Sequence, residues 1–198
     1  MISVIIPALN EEKSLPATLA CVLAQSGDYE VIVVDGGSTD RTRAIATANA
    51  GVRLAVAPKG RASQMNTGAG VARGEWLLFL HADTLLPDGA LEAIAALPDD
   101  IQAGGFRHRF SGDDWRLRLI SWMHNVRCRW THVFYGDQAL FVRRALFERL
   151  GGFPEQALME DVAFCEKLVR ATRPRLLQTC VVTDARKFMQ MGVWKSLG

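Results

Sequence analysis

Hydrophobic positions in the first half of the chain form short, nearly unbroken runs, and longer segments with helical spacing lie between them. The runs cover residues 2–6, 30–34, 52–57 and 76–80. Continuous apolar runs of this length are typical of strands that are covered on both faces of a sheet, whereas half-exposed strands alternate. The pattern therefore predicts four buried, mainly parallel strands.

The segments between these runs predict helices. Ser14 is a candidate cap for the first helix, and Thr39 or Asp40 can cap a second helix over residues 41–50. A third helix over residues 61–73 ends before a glycine, which is a common helix terminator. Strands and helices that alternate with short links favour right-handed βαβ units.

The rhythm changes in the second half of the chain. We predict helices over residues 88–97, 114–130, 145–150 and 160–172, and strands over 104–110 and 138–142. No internal repeat or linker rich in Pro, Gly and Ser interrupts the chain, which indicates one domain over residues 1–198. The expected fold class is α/β, with a Rossmann-like, doubly wound sheet that is mixed but mainly parallel and is flanked by helices.

Composition excludes several classes of protein. The 198 residues are 49% hydrophobic and 22% charged, as in ordinary globular domains. A net charge of +2 gives no reason to expect a nucleic acid partner. The four cysteines form no C-x-x-C pair, which indicates buried free thiols in a reducing compartment. The start of the chain predicts a first strand rather than a signal peptide, and no apolar run reaches the roughly 18 residues of a membrane span, so we expect a cytoplasmic protein.

Polar clusters follow three of the predicted strands at their carboxyl ends, where α/β sheets bind ligands. The clusters are residues 7–12, 35–40 and 81–84. Asp35 precedes two glycines, so its carboxylate can either accept the N–H of a nucleobase or bind N–H groups of its own turn. Asp40 is more typical of a helix cap than of a ligand contact.

Asp83 follows a strand that carries no other polar side chain, which suits a hard cation better than it suits packing. Mg²⁺ or Mn²⁺ would take this carboxylate together with phosphate oxygens and waters. His81 has three open roles, namely ligation of Mn²⁺, contact with a ribose or phosphate, and capping of the turn.

These motifs resemble those of a known family. Residues 7–11 (PALNE), 33–40 (VVDGGSTD) and 79–83 (FLHAD) resemble the ordered motifs of family-two glycosyltransferases with the GT-A fold. Residues 60–66 (GRASQMN), 135–138 (YGDQ) and 159–162 (MEDV) resemble a bacterial subgroup associated with radical-SAM or selenodomain genes. The resemblance extends from residue 2 to about residue 188. It implies a half that binds the nucleotide sugar, over about 1–83, and an acceptor and catalytic half, over about 84–198.

The resemblance also implies residue roles. The donor, most readily a UDP-sugar, would contact Pro7, Asn10, Glu11, Asp35, Gly36, Ser38, Arg61, Asn66, His81, Asp83 and Arg186. Asp83 matches the last aspartate of the family's D-x-D signature and would hold Mg²⁺ or Mn²⁺. His81 stands where the first aspartate of that signature is usual, so a second carboxylate contact at this position is in doubt.

Catalysis would need a carboxylate base for the acceptor hydroxyl, opposite the departing diphosphate. The Glu160–Asp161 pair begins a predicted helix, whose dipole stabilises negative charge, and both residues could be no more than helix-terminal charges. By resemblance Asp161 is the base, and Gly136, Asp137 and Gln138 lie between donor and acceptor.

The predicted reaction is inverting, metal-assisted transfer of a sugar to a hydroxyl of an unidentified acceptor. Nucleotidyl transfer is an alternative, but residues 7–12 contain no glycine and two acids, where a triphosphate would need a glycine-rich basic loop. An inactive nucleotide-sugar-binding protein is the other alternative, which intact catalytic motifs disfavour.

The predicted helix over residues 114–130 carries a stripe of tryptophan and other apolar residues among arginines. Such a stripe more often packs on the core, but it can also lie on an anionic membrane surface. Peripheral contact with the inner face of a membrane therefore stays open. Residues 189–198 end without a clear helix cap, and the resemblance implies that relatives continue into a further apolar segment.

Overall fold

A computed structural model describes residues 1–156 and 159–185 of the chain, so Arg186 and the tail from Met189 lie outside the described residues. The described part contains one eight-stranded sheet. Its strands are β1 (Ile2–Ala8), β2 (Tyr29–Asp35), β3 (Val52–Val56), β4 (Trp76–Phe79), β5 (Thr84–Leu85), β6 (Ala103–Phe110), β7 (Phe141–Arg143) and β8 (Arg175–Thr183).

The sheet is mixed, as expected. Its order is β3-β2-β1-β4-β7-β6-β8-β5. The pairs β1–β2, β2–β3, β1–β4 and β6–β8 are parallel, and the three pairs that involve β7 or β5 are antiparallel. The four strands of the first half match the hydrophobic runs within two residues at each end, because strands covered on both faces leave a continuous apolar signal.

Seven α-helices flank the sheet in the described part. They are α1 (Leu15–Leu23), α2 (Thr42–Thr47), α3 (Arg61–Val71), α4 (Ala90–Ala95), α5 (Trp115–Thr131), α6 (Arg144–Arg149) and α7 (Glu160–Ala171). Ser14 precedes α1 with helical backbone angles, and its side chain makes no capping hydrogen bond, so this predicted cap is wrong. Asp40 supports the start of α2, because its Oδ1 accepts from the Thr42 N–H at 2.9 Å.

The second half departs from the pattern in three places. The nine-residue strand β8 pairs with β6 through seven residue pairs, with an irregularity between Phe106 and Arg107, and no strand was expected there. The short strand β5 was also not expected. The predicted strand over 138–142 is instead a 3-10 turn at Gly136–Gln138 followed by β7. A local apolar pattern does not predict these elements, because they depend on pairing partners far away in the sequence.

Alternate residues of the central strands enter two apolar cores, one on each face of the sheet. Val4 and Ile6 pack into the core that includes α1, α2 and α4, whereas Ile5 packs into the core with α3, α6 and α7. The four cysteines are free, as expected from their spacing. None of the helices in residues 1–156 and 159–185 is long and apolar enough to span a bilayer.

The apolar stripe of α5 faces outward, so the expectation that it packs on the core is wrong. The members of this α5 outer face are 47–81% exposed: Trp115, Leu119, Trp122, Met123 and Trp130. The opposite face of α5, with Leu117, Ile120, Ser121 and Cys128, is buried instead. Period alone shows that a helix has an apolar face but not which face meets the sheet.

A glycine sets how closely α3 approaches the sheet. A Cβ atom on Gly68 would lie inside van der Waals contact of Ile5 Cγ2 and 3.0 Å from Val34 Cγ2. Gly70, two residues later on the same helix, is exposed, and a Cβ there would meet no atom within 4 Å. The small residue at 68 therefore lets α3 lie close to β1 and β2, whose ends carry the polar clusters.

We expect Gly68→Ala to lower the free energy of unfolding by about 1–3 kcal/mol, because the added methyl group overpacks a core against stiff β-branched side chains. The matched change Gly70→Ala should instead raise it by roughly 0.5–1 kcal/mol through helix propensity. Denaturant unfolding of both variants and the wild type measures this difference. Equal changes in the free energy of unfolding for the two variants would contradict this prediction, because they would show that α3 moves away from the sheet without loss of stability.

Candidate functional site

Strand direction brings the polar clusters to one edge of the sheet. Because β1, β2, β4, β6 and β8 all run the same way, their carboxyl ends meet at this edge. The antiparallel strand β7 begins at the same edge, so the turn that precedes it, Gly136–Gln138, lies there too. Ligands of α/β folds bind at this position.

A cavity of about 550 Å³ opens at this edge, within the range of small-molecule sites. It is lined by Pro7, Leu9, Glu11, Lys59, Gly60, Arg61, Gln64, His81, Ala82, Asp83, Phe110, His124, Asp137, Glu160, Thr183 and Asp184. Seven of the predicted site residues are among them: Pro7, Glu11, Arg61, His81, Asp83, Asp137 and Glu160. The other predicted residues of the described chain are not among the lining residues.

Asn10 and Ser38 join the loops that follow β1 and β2. The Asn10 N–H donates to Ser38 Oγ at 2.9 Å, and Asn10 Oδ1 accepts from the Thr39 N–H at 2.9 Å. Asp35 is fully buried and accepts from the N–H groups of Gly37 and Ser38 at 3.1 Å. Asp35 therefore binds the N–H groups of its own turn, which was one of its two predicted roles. Its contact with a nucleobase stays a prediction.

Two amide side chains of α3 hold the helix against the site. Gln64 Nε2 donates to the carbonyl oxygens of Ala8 and Val34, each at 2.8 Å. Asn66 pairs with the backbone of Phe153, donating to its carbonyl at 2.9 Å and accepting from its N–H at 3.0 Å. Asn66 was expected to contact the donor, but its amide instead joins α3 to the backbone at Phe153. Sequence reasoning gave Gln64 no role, although an amide beside a predicted glycine loop was the available signal.

Gly36 and Gly136 permit close packing at this edge. A Cβ on Gly36 would approach Gln64 Cδ to 2.8 Å. A Cβ on Gly136 would collide with the His81 ring. The Gly136 N–H donates to Asp161 Oδ2, so the turn before β7 is tied to the start of α7. His81 and the Gly136–Gln138 turn, which are more than fifty residues apart in sequence, are thus brought into contact.

Glu160 and Asp161 have different surroundings at the start of α7. Glu160 is almost fully buried at the cavity wall, and its Oε1 lies 3.4 Å from Arg61 Nη1. Asp161 is buried too, with Oδ1 accepting from the Val162 N–H at 2.8 Å and Oδ2 accepting from Gly136. Of the pair, Glu160 lines the cavity wall, and Asp161 contacts the turn that carries Asp137.

Asp83 has an acidic neighbour that sequence reasoning did not assign. The Asp184 N–H donates to the Asp83 carbonyl at 2.9 Å, and both residues line the cavity. Asp184 reaches this place because β8 ends beside β6, at the same edge as β4. Two carboxylates with Glu11 on the same wall are an oxygen-rich set of the kind that Mg²⁺ and Mn²⁺ prefer, so the residues present suit a divalent metal.

His108, His124 and Asp137 form a second cluster beside the cavity. His108 Nε2 lies 3.4 Å from Asp137 Oδ2, and the two imidazole ring centres are 6.0 Å apart. Burial lowers the pKa of His108 to about 4, and burial also lowers the pKa of His124. Burial raises the pKa of Asp137, against the opposing effect of His124 and His81. Neither His108 nor His124 was singled out from sequence, because a lone histidine in an amphipathic segment carries no local signal.

The sheet, its flanking helices and a cavity at the carboxyl ends define an α/β domain of the GT-A kind. The family model "Glycosyl transferase family 2" matches residues 3–153. The chain belongs to glycosyl transferase family 2. The resemblance of the sequence motifs to family-two glycosyltransferases is thereby confirmed, whereas the bacterial subgroup stays a prediction.

Mycobacterial relatives are similar over most of the chain. A PGL/p-HBAD biosynthesis glycosyltransferase of Mycobacterium tuberculosis is 36% identical over 170 residues, which are 77% of this chain and 63% of the relative. An uncharacterized glycosyltransferase of Mycobacterium bovis is 36% identical over 177 residues, 82% of this chain and 79% of the relative. The chain thus spans somewhat under two thirds of the length of the first of these proteins.

Solved structures share the fold. Residues 1–349 of Staphylococcus aureus TarS, in complex with UDP-GlcNAc, superpose with a TM-score of 0.77 at 22% identity, covering 93% of this chain and 58% of that one. The mannosyltransferase PcManGT of Pyrobaculum calidifontis, in complex with GDP-Man and Mn²⁺, gives a TM-score of 0.69 at 25% identity, covering 91% of this chain and 56% of that one. The expected GT-A-type fold class is therefore confirmed.

Proposed function

We propose that this protein transfers a sugar, with inversion, from a nucleotide-diphosphate sugar to an acceptor hydroxyl. The observation that carries the proposal is the single cavity in which Asp83, Arg61 and Glu160 meet, in a chain of glycosyl transferase family 2. The family motifs favour a UDP-sugar. Because one structural neighbour holds UDP-GlcNAc and another holds GDP-Man, both nucleotides belong in a donor screen.

The charge of the cavity calls for a divalent metal in donor binding. Its wall carries five carboxylates, from Glu11, Asp83, Asp137, Glu160 and Asp184, against two cations, from Lys59 and Arg61. A diphosphate would be repelled by this wall unless a cation lay between them. Asp83 and Asp184 would hold Mg²⁺ or Mn²⁺, which supplies charge neutralisation of the diphosphate leaving group. Lys59 and Arg61, at the start of α3, would contact the phosphates directly.

We expect Asp83→Asn to weaken Mn²⁺-dependent binding of UDP by at least about tenfold, because a carboxylate ligand is lost with little change in shape. Isothermal titration of UDP with and without Mn²⁺ measures the metal-dependent part of the affinity. Asp100→Asn, an exposed carboxylate outside the cavity, is the matched control. Unchanged Mn²⁺-dependent affinity in Asp83→Asn would rule out this metal position.

Asp161 is our candidate base for the acceptor hydroxyl. Two backbone N–H groups, of Val162 and Gly136, orient its carboxylate, and the start of α7 stabilises its charge. Its contact with Gly136 places it beside Asp137, which lines the cavity where the acceptor would enter. Glu160 has a different role in this scheme, because its contact with Arg61 orients a donor-binding cation. The turn Gly136–Gln138 would position the acceptor.

Asp161→Asn should lower kcat by about 10²–10⁴-fold, the usual contribution of a general base, while the Kd for the donor changes little. Glu166→Gln, which alters an exposed acid of the same helix, is the control. Transfer assays over UDP-, GDP- and dTDP-sugars give kcat, and titration gives the Kd. Normal turnover in Asp161→Asn would remove this residue as the base. Pyrophosphate release from a nucleoside triphosphate, or donor binding without any transfer or hydrolysis, would instead favour the two alternative functions.

The α5 outer face supports peripheral contact with an anionic membrane. Its three tryptophans, Trp115, Trp122 and Trp130, are 60–81% exposed along one side of a 17-residue helix. Exposed arginines surround this side, namely Arg118 and Arg129 on α5 and Arg107 and Arg109 on β6. Tryptophan beside arginine is the composition of helices that lie in the headgroup layer, with the rings inserted and the cations on lipid phosphates.

Replacing Trp122 and Trp130 together by serine should reduce binding to vesicles that contain phosphatidylglycerol by roughly tenfold, because binding scales with the apolar area inserted. Vesicle cosedimentation measures it, with pure phosphatidylcholine vesicles as the uncharged comparison. Val56→Ser removes an exposed apolar residue elsewhere and should leave binding unchanged. Equal binding of the double variant and the wild type would contradict membrane contact through α5.

A further inference from the structure

Three side chains from three separate elements converge next to the cavity. His108 comes from β6, His124 from α5 and Asp137 from the 3-10 turn before β7. One ligand atom of each lies within 4.8 Å of those of the other two. We infer that these residues form a second metal site, which binds a transition metal of the zinc class and is separate from the position at Asp83.

The cluster contains polar atoms that lack partners. Both ring nitrogens of His108, Nδ1 of His124 and Oδ1 of Asp137 are buried with no hydrogen-bond partner among the described residues. His108 is fully buried, so bulk water does not satisfy its ring. Four orphaned atoms within one small volume would cost several kcal/mol. An ion that takes one ligand atom from each of the three residues would remove most of that cost, and the second ring nitrogen of His108 would stay outside its coordination.

The site is also preorganised by two amide side chains. Asn125 comes directly after His124 in the sequence and binds the backbone of His108. Its Oδ1 accepts from the backbone N–H of His108, and its Nδ2 donates to the backbone carbonyl of His108, each at 2.8 Å. Gln138 follows Asp137, and its Nε2 donates to the Phe106 carbonyl at 3.3 Å. Both α5 and the 3-10 turn are therefore fastened to β6 within two residues of His108. Support of this kind is what holds metal ligands in place.

The dimensions suit a transition metal after a small adjustment. Zinc–nitrogen and zinc–oxygen bonds are about 2.0–2.2 Å, so two ligand atoms of a tetrahedral ion lie roughly 3.3–3.6 Å apart. The ligand atoms of the cluster lie within 4.8 Å of one another, so the side chains would have to close by up to roughly 1.5 Å around an ion. Two neutral imidazoles with one carboxylate favour Zn²⁺, Co²⁺ or Fe²⁺ over Mg²⁺, whose ligands are oxygens. The chemistry of this site thus differs from that of the carboxylates at Asp83 and Asp184.

The position of the cluster leaves coordination sites open toward the cavity. His124 and Asp137 line the cavity wall, whereas His108 closes the cluster from behind. An ion there would face the region where we place the acceptor and could take an oxygen ligand from it. One nearby cation opposes metal binding, namely Arg127, but its guanidinium is stacked 3.6 Å from the centre of the Tyr135 ring. The nearby carboxylates of Asp83 and Asp161 act in the opposite direction.

Titration of the nucleotide-free protein with Zn²⁺ and with Co²⁺ tests the inference. We expect binding of one Zn²⁺ per chain, and Co²⁺ should give the visible absorption bands of imidazole coordination. His124→Gln and the isosteric Asp137→Asn should each weaken Zn²⁺ binding by more than about tenfold. Asp83→Asn should keep the Co²⁺ spectrum, although it loses Mn²⁺-dependent UDP binding. His132→Asn, a histidine outside the cluster whose backbone angle asparagine tolerates, is the matched control.

Three results would overturn the inference: no Zn²⁺ binding by the wild type, loss of the Co²⁺ spectrum in Asp83→Asn, or full Zn²⁺ affinity in a correctly folded Asp137→Asn. Far-ultraviolet circular dichroism establishes folding of each variant before titration. Because no donor or acceptor is present, this result is independent of the proposed transfer reaction. A protein without transferase activity could still bind Zn²⁺, and a transferase could lack this site.

Discussion

The direction of one short strand, β7, determines where the candidate site of this protein lies. β7 runs antiparallel to both of its neighbours, β4 and β6, so its beginning lies where they end. That arrangement puts the Gly136–Gln138 turn beside His81, and it also restores the common direction for β6 and β8. Had β7 been parallel, Asp137 and Asp83 would lie at opposite edges of the sheet. Three ladder pairs with β4 and two with β6 thus define a single reaction cavity from segments that are distant in sequence.

The polar residues of this edge divide into those that build the loops and those that line the cavity. Four polar side chains form hydrogen bonds to backbone groups of neighbouring segments, namely those of Asn10, Ser38, Gln64 and Asn66. Such bonds offset the cost of burying loop backbone and fix the width of the cavity. The charged lining residues then act from a rigid frame, which is what positioning of a donor requires. A motif residue can therefore be necessary for a site without touching the ligand.

Sequence reasoning predicted the first half of the fold well because each element there is specified locally. Continuous apolar runs mark β1 to β4, and the segments between them have helical spacing. β8 escaped because its exposed and buried residues do not alternate cleanly, and a shift at Phe106 and Arg107 interrupts its pairing. The candidate site was predictable in part for the same reason. Asp83 follows a local strand signal, whereas Asp184 and His124 reach the cavity, and His108 the cluster behind it, only through contacts between elements distant in sequence. The apolar stripe of α5 shows most clearly what a local pattern cannot predict. Its spacing correctly predicted a helix, but the stripe faces solvent rather than the core.

Electrostatics links the two proposed metal positions to the proposed nucleotide-sugar donor. A wall with five carboxylates and two fixed cations is the reverse of what a diphosphate needs, so the donor cannot enter as a bare anion at low cost. One divalent ion at Asp83 and Asp184, as proposed, would offset much of this negative charge on the donor side. Asp137 and Asp161 remain on the acceptor side, where a second ion held by His108 and His124 would take up the charge of Asp137. Asp161 would then be left as the carboxylate that holds no ion, oriented by two backbone N–H groups, and so as the candidate base. The proposed separation of the two roles, with Asp137 on a metal and Asp161 as a base, would follow from the different partners that the fold gives to these two acids.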